Sequence, residues 1–148
     1  MMAVCYLDLD GFKSVNDIYG HKQGDKVLIE VAQRLKNILR EGDTVSRIGG
    51  DEFIILMIDV ENKDELKLAL NRILSTLSKP YDVNNKKFID TLSASIGVTL
   101  YPKDNSDSDT LLHDADQAMY KAKKMGKNSY SFFESMNENS INSANESQ

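Results

Sequence analysis

Two rhythms of apolar and polar positions run along the chain. Residues 2–9 are apolar almost without a break until Asp8, which predicts a short buried strand ending in acids. Residues 12–19 suit a short helix closed by Gly20. Residues 24–40 then carry Val27, Leu28, Val31, Leu35, Ile38 and Leu39 at helical spacing, and Gly42 stops that helix. Strands at 44–48 and 53–59 flank a hairpin at 49–52. A helix over 64–78 gathers Leu66, Leu70, Ile73, Leu74 and Leu77 on one face, and Pro80 ends it. One strand is expected over 87–101, after a turn at Asn84 and Asn85. The last helix, 108–125, has Leu111, Ala115, Ala118, Met119 and Ala122 inward and closes at Gly126, and residues 130–133 suit an edge strand.

The order is β-α-α-β-β-α-β-α-β, with no internal repeat. Hairpin-joined strands with helices between others predict an α+β fold, a sheet with helices packed on it. Residues 134–148 are different: eleven of the fifteen are Ser, Asn or Glu, so they bury no core and read as a linker or tail.

With 148 residues, 41% of them apolar, the chain is long enough for one domain with a real core. No apolar run is long enough to span a bilayer, and the first residues lack the basic start of a secretory signal. Cys5, the single cysteine, sits in an apolar run and has no internal disulfide partner, which fits a cytoplasmic setting. A net charge of -5 argues against broad binding to nucleic acid. An anionic small molecule remains open, because lysines cluster at 121, 123, 124 and 127.

The segment Arg47-Ile48-Gly49-Gly50-Asp51-Glu52-Phe53 interrupts an apolar pattern with two glycines and two acids. A Gly-Gly turn explains the glycines but leaves Asp51 and Glu52 unexplained. Asp8 and Asp10 point to one face of their strand. Acids often mark a strand end, yet two there also suit a divalent cation, with Asp51 approaching if the hairpin lies beside the first strand. An EF-hand loop fails on spacing: counted from Asp8, its glycine falls due at Lys13 and its closing glutamate at Tyr19. Asp25 suits a helix cap and Asn16 a solvated helix face; the sharper alternative is that carboxylate and amide read the donors and acceptors of guanine. The lysines at the last helix's end complement its dipole, and they also suit a triphosphate, although no P-loop occurs.

Taken in order, these segments resemble the GGDEF domain of bacterial diguanylate cyclases. The matching pieces are Asp8-Leu9-Asp10-Gly11-Phe12-Lys13 with Asn16-Asp17, Gly20-His21 with Gly24-Asp25, Gly49-Gly50-Asp51-Glu52-Phe53, Ser95-Ile96-Gly97-Val98, and Ala115-Asp116 through Ala118-Met119-Tyr120, Ala122-Lys123 and Gly126-Lys127-Asn128. The resemblance spans residues 6–133. It implies a mostly antiparallel central sheet with helices on it, similar to the nucleotidyl cyclase and polymerase palm (ferredoxin-like) fold. It implies condensation of two GTP into cyclic di-GMP and two pyrophosphates, in a transient homodimer with facing active sites.

Carried over residue by residue, the catalytic set is Asp8, Asp51, Glu52 and Lys123. Asp8, the Leu9 carbonyl and Asp51 would hold Mg²⁺ or Mn²⁺. Glu52 is required, with its role open between metal, lysine and nucleophile. Asn16 and Asp25 would read guanine beside Leu28 as an apolar wall. Gly49 and Gly50 would lie against phosphates and ribose. Lys13, Lys123 and Lys127, with backbone amides near Phe12, would hold phosphates, although position 127 is often Arg in the family. Arg40 and Asp43 form an RxxD pattern with five residues between it and Gly49, where the family carries a product-inhibition site for cyclic di-GMP; RxxD is also common by chance.

The family usually begins with a helical segment, whereas this sequence starts at the first strand, so the expectation is a fragment of a longer signalling protein, with 1–133 as its GGDEF domain lacking that segment. Residues 131–137 resemble an exit into an EAL phosphodiesterase domain. The competing function is a GTP- or cyclic di-GMP-binding regulatory module without turnover in a composite GGDEF-EAL protein. No nucleic acid partner and no membrane contact by this segment are expected.

Overall fold

A computed structural model of the chain describes residues 1–84 and 87–134. The elements are β1 (Met2–Asp10), α1 (Phe12–Tyr19), α2 (His21–Ile38), β2 (Thr44–Gly49), β3 (Glu52–Met57), α3 (Lys63–Leu77), β4 (Tyr81–Asn84), β5 (Lys87–Ile89), β6 (Ser93–Tyr101), α4 (Ser108–Lys124) and β7 (Ser129–Phe132). Five strands make the main sheet in the order β2-β3-β1-β6-β7, and β4 and β5 make a separate hairpin. Every pairing is antiparallel except β6 with β7. The α+β expectation therefore holds, with a mostly antiparallel sheet.

β1 is the middle strand, and its period of two sorts the molecule into layers. Ala3, Cys5, Leu7 and Leu9 are almost fully buried. They lie in register with Phe53, Ile55 and Met57 of β3 and with Ala94, Ile96, Val98 and Leu100 of β6. These side chains form one core with the apolar stripes of α1, α2 and α3. The even-numbered residues of β1 take the other face, which α4 covers. There Tyr6 stands opposite Gly97 and Asp8 opposite Ser95.

Gly97 is what lets α4 settle so closely. A Cβ there would fall 1.9 Å from the Ala115 carbonyl oxygen and 2.2 Å from the Met119 nitrogen. On the opposite layer, Arg34 of α2 donates to the carbonyls of Thr76, Lys79 and Pro80 at 2.7–3.0 Å, satisfying oxygens around the end of α3. Its guanidinium also stacks 3.8 Å over Tyr81.

Three expectations need correction. α2 starts at His21, three residues before Gly24, because Gly20 (φ 89) makes the sharp link from α1 in a backbone form that disfavours other residues. Asp25 thus lies inside the helix and is not its cap. The single strand expected over 87–101 is split: β5 pairs back on β4, and polar Asp90 and Thr91 interrupt the run before β6 begins. β4 itself was hidden by its short length, four residues after Pro80. The expected turn at Asn84 and Asn85 falls partly outside the described residues, as does all of the polar stretch after Glu134. Among the described residues no helix is long and apolar enough to cross a membrane.

Candidate functional site

The acidic hairpin does meet the end of β1. Register places Glu52 directly beside Asp8, and the Leu9 nitrogen donates to the Asp51 carbonyl oxygen at 3.1 Å. Arg47 braces the turn by donating through Nε to the Gly50 carbonyl at 2.8 Å. Gly50 sits at φ 49, in the left-handed region that favours glycine. A Cβ at Gly49 or Gly50 would meet nothing within 4 Å, so the turn borders open space that a ligand can enter.

Asp8 and Asp10 share a face but have different fates. Asp10 is buried, and its carboxylate accepts from Ser93 Oγ and Ser95 Oγ at 2.7 Å each and from the Asn128 nitrogen at 3.0 Å. It locks β1, β6 and the segment after α4 together. Asp8 is half-buried, and its Oδ1 is buried with no hydrogen-bond partner among the described residues. Lys123 of α4 lies 3.4 Å from Asp8 Oδ2 and 3.6 Å from Asp10 Oδ1. Burial, then the neighbouring Asp51 charge, pushes the Asp8 carboxyl up to about 6, against the pull of Lys123.

That electrostatic state tests the fit of a divalent cation. Two nearby carboxylates, one with a buried orphan oxygen, are short of positive charge. Hard oxygen ligands are what Mg²⁺ and Mn²⁺ take. No group of three or more His, Cys, Asp and Glu side chains is placed to hold a metal ion among the described residues. The expected set needs only two carboxylates, Asp8 and Asp51, completed by the Leu9 carbonyl, and the residues fit it.

Sequence reasoning missed Tyr6. Its hydroxyl donates to Glu52 Oε2 at 2.7 Å. Burial, followed by the Glu52 bond, pushes that hydroxyl well above the usual phenol range. The signal available was weak: a tyrosine two residues before Asp8 shares its face, but only the β1–β3 register reveals Glu52 as a diagonal neighbour.

A second group lies where α1 meets α2. Asn16 packs on Gly24, where a Cβ would fall 1.9 Å from Asn16 Oδ1 and 3.3 Å from Phe12 Cζ. Asn16 Oδ1 is buried and has no hydrogen-bond partner among the described residues. Phe12 and Leu28 are buried, whereas Lys13 and Asp25 are exposed. An orphaned amide oxygen beside an exposed carboxylate can accept from N–H donors of a planar base. Lys127, exposed at φ 63, donates its backbone N–H to the Ala122 carbonyl at 3.2 Å where the chain leaves α4.

Arg40 and Asp43 lie elsewhere. They precede β2, and the hairpin follows it, so the RxxD pair and the acids occupy opposite ends of the β2–β3 ribbon, about 20 Å apart at strand rise. Asp43 accepts from the backbone nitrogens of Arg40 and Ile58, each at 3.1 Å. Arg40 is ion-paired to Glu65 of α3. Both residues border a groove of about 170 Å³ that also includes Leu39, Ile58, Leu66 and Arg72.

Residues 1–129 match the family described as diguanylate cyclase, GGDEF domain. The chain belongs to that family. It is 48% identical over 138 residues to MucR of Pseudomonas aeruginosa, a bifunctional diguanylate cyclase/cyclic di-GMP phosphodiesterase; the match covers 93% of this chain and 20% of MucR. The chain thus spans about a fifth of that relative's length. Among solved structures, the GGDEF domain of TpbB from Pseudomonas aeruginosa superposes with a TM-score of 0.86 at 36% identity, covering 90% of this chain and 83% of that one. The GGDEF domain of DgcB from Caulobacter crescentus, solved with cyclic di-GMP, gives 0.80 at 26% identity, covering 90% and 78%. The fold is therefore that of GGDEF cyclase domains, and cyclic di-GMP synthesis is the general activity to which the domain is related.

Proposed function

We propose that this domain condenses two GTP into cyclic di-GMP and two pyrophosphates. The observation that carries the reading is Asp8 Oδ1, buried without a hydrogen-bond partner among the described residues, on a carboxylate that feels the Asp51 charge and whose Oδ2 lies 3.4 Å from Lys123. In a stable core such a group is costly, and here it lies at the edge of an open turn.

The chain's own residues divide the work. Asp8, Asp51 and the Leu9 carbonyl would hold Mg²⁺ or Mn²⁺. When bound, that ion polarises the α-phosphate and lowers the pKa of the attacking ribose 3′-OH. Lys123 sits close enough to the acids to balance charge on the phosphates, joined by Lys13, Lys127 and the amides near Phe12. Gly49 and Gly50 leave room for phosphate and ribose. Asn16 and Asp25 read guanine against Leu28. Glu52 completes the catalytic set beside Asp8. Each domain binds one GTP, so attack by one 3′-OH on the other α-phosphate needs two domains face to face. Residues 1–133 form the unit that does this, in a cytoplasmic setting and without nucleic acid.

Arg40 and Asp43 serve a separate purpose in this reading, binding cyclic di-GMP and slowing the enzyme. The two bonds already made by Asp43 leave acceptor capacity, since a carboxylate offers about four lone-pair sites. Arg40 exchanges Glu65 for product phosphate or guanine.

Asp51→Asn tests the central assignment. It keeps size and shape, so the expected result is loss of product by at least about 100-fold with an unchanged melting temperature. Undiminished turnover contradicts the metal role. One comparison favours a second reading: MucR joins synthesis and hydrolysis in one protein. A GGDEF domain within such a protein can instead bind GTP or cyclic di-GMP and regulate its neighbour. Tight GTP binding with no product, at any protein concentration, selects that alternative.

A further inference from the structure

We infer that Tyr6 is a positioning residue for Glu52, fixing the carboxylate through the hydroxyl bond at 2.7 Å and so setting the geometry of the hairpin acids. The inference rests on the cyclase reading above and deepens it.

Three features carry it. First, Glu52 opens β3 directly after a turn whose glycines border open space. A glutamate there loses rotamer freedom when fixed, so something must hold it. Second, Tyr6 is a rigid post. It lies in the middle strand, paired with β3 on one side and β6 on the other, so its backbone is fixed from both edges. Third, the bond takes one carboxylate oxygen and thereby fixes where the other points. Asp8, in register with Glu52, has no such brace on Oδ1. The two acids are thus handled differently: Asp8 keeps an open oxygen for a ligand, and Glu52 is held in place by protein.

A satisfied phenol at a helix–sheet interface is the structural alternative, and the two readings separate on kinetics. Tyr6→Phe keeps the ring and its packing and removes only the donor. The expected result is a fall in kcat of about tenfold or more with the KM for GTP unchanged, at an unchanged melting temperature. Glu52→Gln and the double variant complete a cycle. Because Tyr6 acts through Glu52, the double variant loses no more than Glu52→Gln alone. Equal kcat in wild type and Tyr6→Phe, or losses that simply add, overturns the inference.

A direct readout comes from the ¹³C carboxylate resonance of Glu52. It moves in Tyr6→Phe, while those of glutamates remote from β1, such as Glu41, stay in place. An unmoved Glu52 resonance contradicts the contact whatever the activity. A wild-type chain that makes no product brings down the function reading, and with it the catalytic half of this one. An active wild type with a silent kinetic effect in Tyr6→Phe brings down the positioning role alone.

Discussion

At the scale of single residues, neighbours of identical chemistry have opposite tasks. Asp10 accepts from two hydroxyls and a backbone N–H and is structural. Asp10→Ala leaves those donors without their buried acceptor, and the expected loss is about 3 kcal/mol of folding stability, read by denaturant titration. Cys5 shows the same dependence on surroundings. Burial, with the Asp43 charge adding, pushes its thiol from 9.0 up to about 12. The folded state then holds the thiol proton more tightly than the unfolded chain does. The contribution is fully present below pH 9 and is lost as pH rises from 9 towards 12. Iodoacetamide at pH 9 is expected to label Cys5 only when the chain unfolds; rapid labelling of native protein contradicts its burial.

At the scale of elements, much of the fold was readable because periodicity is local. The stripes of α2, α3 and α4 and the apolar run of β1 each follow from side chains a few positions apart. The DxD pair and the acidic hairpin stood out for the same reason, whereas Asn16 and Asp25 were singled out as a pair only through the family resemblance. What escaped was set by register and by chain reversal. β4 and β5 are too short to carry a pattern, and the start of α2 depends on one left-handed glycine. The Tyr6–Glu52 bond joins residues 46 positions apart. The RxxD pair looked close to the hairpin along the chain, yet a strand separates them in space. Gly97 supplies a prediction at this scale. Gly97→Ala puts a methyl group 1.9 Å from the Ala115 carbonyl oxygen, so α4 must lift from β6. Since α4 carries Lys123 to Asp8, the variant is expected to lose both stability, by about 1–3 kcal/mol, and turnover. Full activity in Gly97→Ala contradicts the claim that close helix packing positions the lysine.

At the scale of the whole molecule, the two ends of the β2–β3 ribbon have separate jobs in the proposed account. The hairpin end works with β1 and α4 at the acids. The other end joins α2, β3 and α3 around Arg40, Asp43 and Glu65. Separation of this kind predicts separable effects. Arg40→Ala is expected to relieve product inhibition while leaving the initial rate unchanged, measured from progress curves with added cyclic di-GMP. Inhibition that persists removes the RxxD pair from the account. In the proposed account two domains must face each other, which predicts that specific activity rises with protein concentration.

The most direct test of the central claim is therefore turnover against concentration. The chain is incubated with GTP and Mg²⁺ over a wide range of protein concentration, and the nucleotides are separated by chromatography. The account predicts cyclic di-GMP whose formation per chain rises with concentration and vanishes in Asp51→Asn. GTP bound tightly but left unconverted across the whole range contradicts it, and makes the domain a nucleotide-binding regulator instead.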